Sequence, residues 1–268
     1  MNIFPTILTN CRMCAKLLPE HIQGHNCCEE RIGRRETMAR INKAALTKIE
    51  IVIEATKQFL EKGYTSTTVA AIAKGIGMSQ GNLTFHFPTK EHLLAKLTDI
   101  LCQYQWQMMK DEANDGISQI MAICLELTTM IYVCDTDEVM KDFYLSTYTS
   151  PICLDIIRRN DAKRAKEVFA EYCPDWTDEQ FAAAQVVVSG IEYASLMNAG
   201  EPLPLETRIG TALQNILSVY NVPAEIQETK LKKVFAKDYH KISKQMVENF
   251  KEFADKANDE AFHEIINA

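Results

Sequence analysis

Thr67 to Leu94, reading TTVAAIAKGIGMSQGNLTFHFPTKEHLL, decides how this chain folds. It parses as a short helix, a glycine turn and a second short helix, followed by aromatics and the opening of a longer helix. Thr67 or Thr68 is placed to cap the first helix, with Val69, Ile72 and Ala73 on one inward face. Gly77 supplies the tight turn, and Ser79 caps the second helix. On that second helix Leu83 points inward, whereas Gln80, Gly81, Asn82 and Thr84 point outward and are polar or small. Phe85 and Phe87 are expected to fill the core, and Thr89 to cap a third, long helix that opens with Lys90 and Glu91. Two short helices at this spacing, the second with a polar outer face, are the arrangement that sets side chains into a DNA major groove. An ordinary helical hairpin has no need of an outward Gln-Gly-Asn face between inward aromatics.

The segment from about Asn42 to Leu97 closely resembles the DNA-binding region of the tetracycline-repressor (TetR) family of bacterial transcription regulators. The residues that carry the resemblance are the first helix (Ile49, Val52, Ile53, Ala55, Phe59, Leu60), the Gly63-Tyr64 stop and the Thr67-Thr68 pair. The Ala73 to Gly77 turn follows, then the aromatic ending with Lys90-Glu91-x-Leu93-Leu94. The resemblance implies that Gln80 and Asn82 face base edges, where both side chains pair bidentately with adenine, and that Gly81 lets the backbone approach. It also implies that Thr68, Thr84, His86 and Lys90 hold phosphates, which set register but not sequence. Ala70 departs from the pattern, since some members carry a guanine-reading arginine there. Base reading then rests on the second helix and on an arm near Arg40 and Lys43. The implied protein is a homodimer that binds a palindromic operator in double-stranded DNA, acts as a repressor and responds to a small-molecule effector.

Charge divides along the chain in the same sense. The net charge of −7 hides a basic head, because residues 31–96 hold 11 Lys and Arg against 5 Asp and Glu, whereas residues 97–268 hold 16 against 28. A basic head neutralises phosphates, and an acidic body stays off the duplex. No apolar run is read as long enough to span a bilayer, Val186-Val187-Val188 being the densest aliphatic patch, so the expectation is a soluble, cytoplasmic protein with no membrane partner.

Beyond residue 97 the pattern is helical throughout, with no alternating strand signal and no internal repeat. The long helix from Thr89 is expected to run to about Asp115 and stop at Gly116. Further helices are expected at about 117–134, 137–148, 154–172, 178–198, 205–220, 224–238 and 241–266. Thr177-Asp178-Glu179-Gln180 is a capping box, and Pro223 marks a helix start. The fold class is therefore all-α. Residues 38–97 form a three-helix helix-turn-helix DNA-binding domain, and 98–268 form a helical effector-binding and dimerisation bundle.

Within the bundle, the 181–197 helix is small or apolar nearly all round, and Ile209, Ala212, Leu213, Ile216, Leu217 and Tyr220 form a stripe on the next helix. As the resemblance implies, both are expected to meet their symmetry mates, with Val187, Ile191, Leu213 and Ile216 in the interface, burial inside one chain being the alternative. The region between head and interface is where family members bind an effector. There Trp106, Met109, Met130, Tyr132, Phe143, Tyr144 and Tyr148 offer aromatic and thioether surface for an apolar pocket, plain core packing being the alternative for each. Glu192 is the candidate buried charge, facing a cationic ligand or an arginine across the dimer, with an exposed rim position as the alternative.

Residues 1–37 admit three readings. Cys11, Cys14, His21, His25, Cys27 and Cys28 are zinc-ligand types at poor spacing. Arg34, Arg35 and Arg40 suit a basic arm. The preferred reading is a translated leader or disordered tail ahead of a natural start at Met38. Cys102, Cys124, Cys134, Cys153 and Cys173 read as small hydrophobes. No glycine-rich phosphate loop, nucleophile elbow, HExxH or paired acid and base stands out, so no catalytic residue, metal or cofactor is expected and the chain is not read as an enzyme. The alternative function is a helical zinc or thiol redox sensor using the Cys/His-rich start.

Overall fold

The computed structural model describes the backbone of residues 26–114, 116–197 and 203–267, with side chains described from residue 43 onward except at 112–115, 198–202 and 267–268. The expectations attached to Cys11, Cys14, His21, His25, Cys27, Cys28, Arg34, Arg35, Met38 and Arg40 lie outside the described side chains. Leu46–Ala268 is one compact unit.

Among the described residues there are helices and no strands. The head comprises α1 (Asn26–Lys62), α2 (Val69–Gly75) and α3 (Gln80–His86). The body follows as α4 (Lys90–Asn114), α5 (Gln119–Thr136), α6 (Glu138–Thr149), α7 (Pro151–Phe169), α8 (Asp178–Met197), α9 (Leu205–Val219), α10 (Ala224–Phe235) and α11 (Tyr239–Asn267). Local chemistry fixes most boundaries. Gly116, at φ +79, and Ser118, whose hydroxyl accepts from Met121 N–H, separate α4 from α5. Asp137 caps α6 by accepting from Val139 and Met140. Thr177 and Gln180 form the reciprocal capping box that opens α8. Asn221, at φ 56, ends α9 with Val222 N–H returning to Leu217 O at 3.0 Å.

One core runs through head and body, from Ile51, Phe59, Ile72 and Leu83 through Leu94 and Leu97 to Phe143, Phe169, Leu213 and Phe250. The residue-97 boundary drawn from sequence falls within α4, which crosses from head to body. The 18-residue α5 is long and apolar enough to cross a bilayer, at a mean hydropathy of 1.2, contrary to the sequence reading; 72% of it is buried in the bundle, as befits a core helix. The long α11 lies against α4 and α5. Its Phe250 stacks on Phe143 of α6 at 5.8 Å and meets Tyr104 of α4 at 5.6 Å, so one aromatic knot ties three helices together.

Candidate nucleic-acid interface and inner cavity

In the head, each short helix is held by its own ends. Thr68, not Thr67, caps α2, accepting from Ala71 N–H at 3.1 Å. Thr67 is buried and donates its hydroxyl to Gly63 O at 2.8 Å. At the other end Gly77, at φ +66, permits the turn in which Met78 N–H returns to Ala73 O at 2.8 Å and Gly77 N–H to Lys74 O at 3.2 Å. Ser79 then caps α3 by accepting from Asn82 N–H at 3.2 Å. Leu83, fully buried, is the anchor that fixes the roll of α3. That roll leaves Gln80, Gly81 and Asn82 exposed together. A Cβ at Gly81 would meet nothing within 4 Å of its own chain, so the missing side chain there clears space only for something approaching from outside.

Phe85 corrects the sequence reading. It is 82% exposed, while Phe87 is buried as expected. On a 100° helical step Phe85 lies about 200° from Leu83, so both cannot face the core. Phe85 therefore joins the outer face of α3, edge-on to His86 at 5.4 Å, as an apolar surface beside the polar trio.

The four phosphate candidates differ in how free they are. Thr68 is exposed and uses only its oxygen as acceptor in the cap, which leaves its O–H to donate. Thr84 turns its hydroxyl back to Gly81 O at 3.0 Å and Gln80 O at 3.2 Å. His86 is partly exposed. The Lys90 ammonium donates to Tyr64 O and Thr67 O, both at 2.8 Å, and lies 4.0 Å from the Tyr64 ring centre. Two of its three N–H donors are thus spent on the α1–α2 loop, and one remains. Burial lowers the Lys90 pKa, a shift that Asp142 opposes. The same loop is gripped from the body. Asp142 of α6 accepts from Thr65 N–H at 2.7 Å and from the Thr65 hydroxyl, and at Gly63, φ +89, a Cβ would meet that carboxylate at 2.7 Å.

The body holds a small cavity of about 40 Å³ between α4, α5, α6, α7, α8 and α9. Of the residues expected to line an effector pocket, Tyr148, Met130 and Glu192 do so. The others serve packing. Met109, Phe143 and Tyr144 are buried in the core, and Phe143 is taken up by Phe250. Tyr132 meets His240 at 4.6 Å and Tyr239 at 6.0 Å, at the start of α11. Trp106 borders a separate outer groove of about 870 Å³ and donates to Asn160 Oδ1 at 2.7 Å.

Four charged groups bound the inner cavity: Glu126, Asp161, Arg164 and Glu192. Arg164 forms a two-pronged pair with Glu126, one prong at 3.2 Å, and also donates to Asp161 at 3.2 Å. Gln105 Nε2 adds a 2.6 Å bond to Glu126, and Asn160 a 3.0 Å bond to Asp161. Glu192 stands outside this network, and its one hydrogen bond comes from the Tyr148 hydroxyl at 2.9 Å. Burial, with Asp161 next, pushes its carboxyl up to about 8, and burial raises Asp161 to about 6 against the pull of Arg164. The sequence reading missed Glu126, Asp161 and Arg164. Glu126 carried a signal, as the lone charge in the 119–134 stretch, whereas Asp161 and Arg164 are hidden among the many charges of α7.

The interface expectation divides. Val187 is 55% and Val186 54% exposed, and Ile191 is partly buried, so one face of α8 presents apolar surface with Gly190. Leu213 and Ile216 are corrected, being buried at 1% and 4% in the chain's own core with the rest of the α9 stripe. The stripe that reads as an interface faces inward because α9 covers the cavity.

The five described thiols are all buried. Burial raises every one of them, Cys124 and Cys134 to about 12, so they are protonated and unreactive at neutral pH. No group of three or more metal-ligand residues occurs among the described residues.

A head with a capped, outward-facing second helix on an all-helical body is the build of a helix-turn-helix transcription regulator. Residues 51–97 match the family described as bacterial regulatory proteins, tetR family. Residues 51–97 thus carry the DNA-binding region of a TetR-family regulator. It is 38% identical over 105 residues to the HTH-type transcriptional regulator QacR of Staphylococcus aureus (strain Mu50 / ATCC 700699), a match covering 38% of this chain and 55% of that protein, so little more than half of that relative is matched. Among solved structures it is similar to TylP, a TetR regulator from Streptomyces fradiae, at 18% identity over 74% of this chain and 94% of that one, with a TM-score of 0.39. It is likewise similar to the ketosteroid transcriptional regulator KstR2 of Mycobacterium tuberculosis, at 19% identity over 65% and 93% of the two chains, with a TM-score of 0.35. Likenesses of that order leave the operator and the effector to be argued from this chain's own residues.

Proposed function

We propose that the protein is a cytoplasmic, homodimeric, ligand-responsive repressor that binds a palindromic operator in double-stranded DNA through residues 38–97 and an effector through residues 98–268. The observation that carries the reading is the exposed Gln80-Gly81-Asn82 face, held outward by the Ser79 cap and the buried Leu83. Gln80 and Asn82 read bases, Phe85 supplies an apolar contact to a thymine methyl or a sugar, and Thr68, His86 and the free N–H of Lys90 hold phosphates, joined by Thr84 once its hydroxyl turns away from Gly81 O. One such head reads half a site, so two copies are needed, and the exposed Val186, Val187 and Gly190 face of α8 is the surface offered to the second.

The effector works by shifting a population. It must bind the state with separated heads better than the DNA-competent one, and by linkage the operator weakens effector binding by the same factor. The Asp142 contact with Thr65 gives α6, whose Tyr148 borders the cavity, a direct hold on the head. The test is a randomised-site selection, with footprinting on the DNA upstream of the protein's own gene. Gln80→Ala or Asn82→Ala is expected to cost about 1–3 kcal/mol at one operator position and relax base preference there. An unchanged preference with both residues replaced removes α3 from the reading.

A further inference from the structure

The inner cavity has more negative than positive groups. Glu126, Asp161 and Glu192 face a single cation, Arg164, and that cation is already committed to Glu126 and Asp161. Among the described residues Glu192 has no ion-pair partner, and its one hydrogen bond comes from Tyr148. A second, independent sign is Gln185, which borders the same cavity and is 3% exposed. Its Nε2 donates to the Tyr220 hydroxyl oxygen at 2.5 Å, while its Oε1 is a buried acceptor with no donor among the described residues. Buried acceptors in native proteins are ordinarily satisfied, and one left open beside a cavity marks a place for a donor from elsewhere. The walls between these groups are apolar and aromatic, from Met130, Phe169, Val188 and Tyr220.

We propose that this cavity takes an organic ammonium ion with an apolar body, its N–H donors directed to Glu192 and Gln185 Oε1 and its body against the Phe169 and Tyr220 walls. This rests on the reading of the cavity as the effector site, and it names the chemical class of the effector. At about 40 Å³ the cavity holds only a few water-sized groups, so such a ligand opens it on binding. That opening is the difference between the two states which a population shift requires.

Charge balance gives the exchange a second partner. The titratable groups that border the cavity with Glu192 are Glu126 and Cys124 from α5, Tyr148 from α6, Asp161 and Arg164 from α7, and Tyr220 at the end of α9, and Arg158 of α7 meets α8 one turn away, donating to Ser189 Oγ at 2.9 Å. The tyrosines and Cys124 are held neutral by burial, and the two carboxylates outweigh the one guanidinium bordering the cavity. With the cavity empty, Glu192 keeps its proton at neutral pH. An arriving ammonium ion replaces it: the Glu192 carboxyl becomes a carboxylate paired with the ligand, and the proton leaves to solvent.

The test uses the full chain and three probes with one body and different head groups: phenethylammonium, 2-phenylethanol and phenylacetate. Calorimetric titration at pH 7 in phosphate and in Tris reads proton release from the difference in apparent heat. Phenethylammonium is expected to bind at least about tenfold tighter than the alcohol, as a charge-assisted bond outweighs a neutral one, with phenylacetate weakest. It is also expected to release about one proton per protomer. Glu192→Gln, close in shape, keeps the binding of 2-phenylethanol but loses both the ammonium preference and the proton release. The alcohol binding as well as the ammonium ion, an unaltered preference in Glu192→Gln, or no binding by any probe each overturns the inference. Operator affinity measured with saturating phenethylammonium separates the two readings. Binding with proton release but unchanged operator affinity leaves the cation site standing and removes its role as effector site.

Discussion

Lys90 has two candidate employments, and replacing it with methionine separates them. Lys90→Met keeps most of the apolar stem and removes the ammonium. The two 2.8 Å bonds to Tyr64 O and Thr67 O are lost, together with the contact over the Tyr64 ring. Tyr64 is partly exposed, so water replaces most of what its carbonyl loses. Thr67 is 1% exposed, and leaving its carbonyl without a donor costs roughly 1–3 kcal/mol. The ring contact adds about 0.5–1 kcal/mol. The expected loss is therefore about 2 kcal/mol, read as a lower urea midpoint at unchanged slope. If Lys90 also holds a phosphate with its remaining N–H, the salt dependence of operator binding falls by roughly one counterion per half-site, measured between 50 and 200 mM salt. Unfolding within about 0.5 kcal/mol of wild type would refute the lock on the α1–α2 loop and assign the ammonium to DNA alone.

Other substitutions probe the remaining parts. Val187→Arg places charge on the exposed α8 face and should yield folded monomers by light scattering, whereas Leu213→Arg buries an unpaired cation in the core and should lose helix content by circular dichroism. Val187→Arg remaining dimeric would move the interface elsewhere, and an unchanged helix content in Leu213→Arg would contradict the burial of Leu213. Asp142→Ala should cost about 1–2 kcal/mol and speed hydrogen exchange at the Thr65 amide, and unchanged exchange there would dismiss the hold of α6 on the head. Glu192 retains its proton in the fold up to about 8 but loses it near 4.5 when unfolded. Its contribution to stability is thus complete below pH 4.5 and disappears as the pH rises through about 8. Relative to Glu192→Gln, wild type should weaken across that window, and parallel pH profiles would contradict the burial of this carboxyl.

The helical layout was readable because its signals are local. Caps at Ser79 and Thr177, the positive-φ glycines 77 and 116 and the proline at 223 all act on their immediate neighbours, and a sequence displays neighbours directly. Phe85 was misread because a dense aromatic run looks like core, although its angular distance from Leu83 was there to be measured. Leu213 and Ile216 show a deeper limit. An apolar stripe states that a helix must be covered, and whether its own chain or a second copy covers it depends on packing that no local pattern encodes. The charges around the cavity arise from α5, α7 and α8 meeting in space, so only Glu192 was singled out beforehand, although Glu126, solitary in its apolar stretch, was there to be noticed.

The five buried thiols make this protein a ready instrument for its own unfolding. An alkylating reagent attacks the thiolate, and burial denies each of these cysteines both solvent and ionisation in the folded chain. Each modification therefore records an opening event at a known address. Cys102 reports on α4, Cys124 and Cys134 on α5, Cys153 on the first turn of α7 and Cys173 on the turn after it. Peptide mass mapping after timed labelling would time the release of these segments one by one, with no residue replaced and no dye attached.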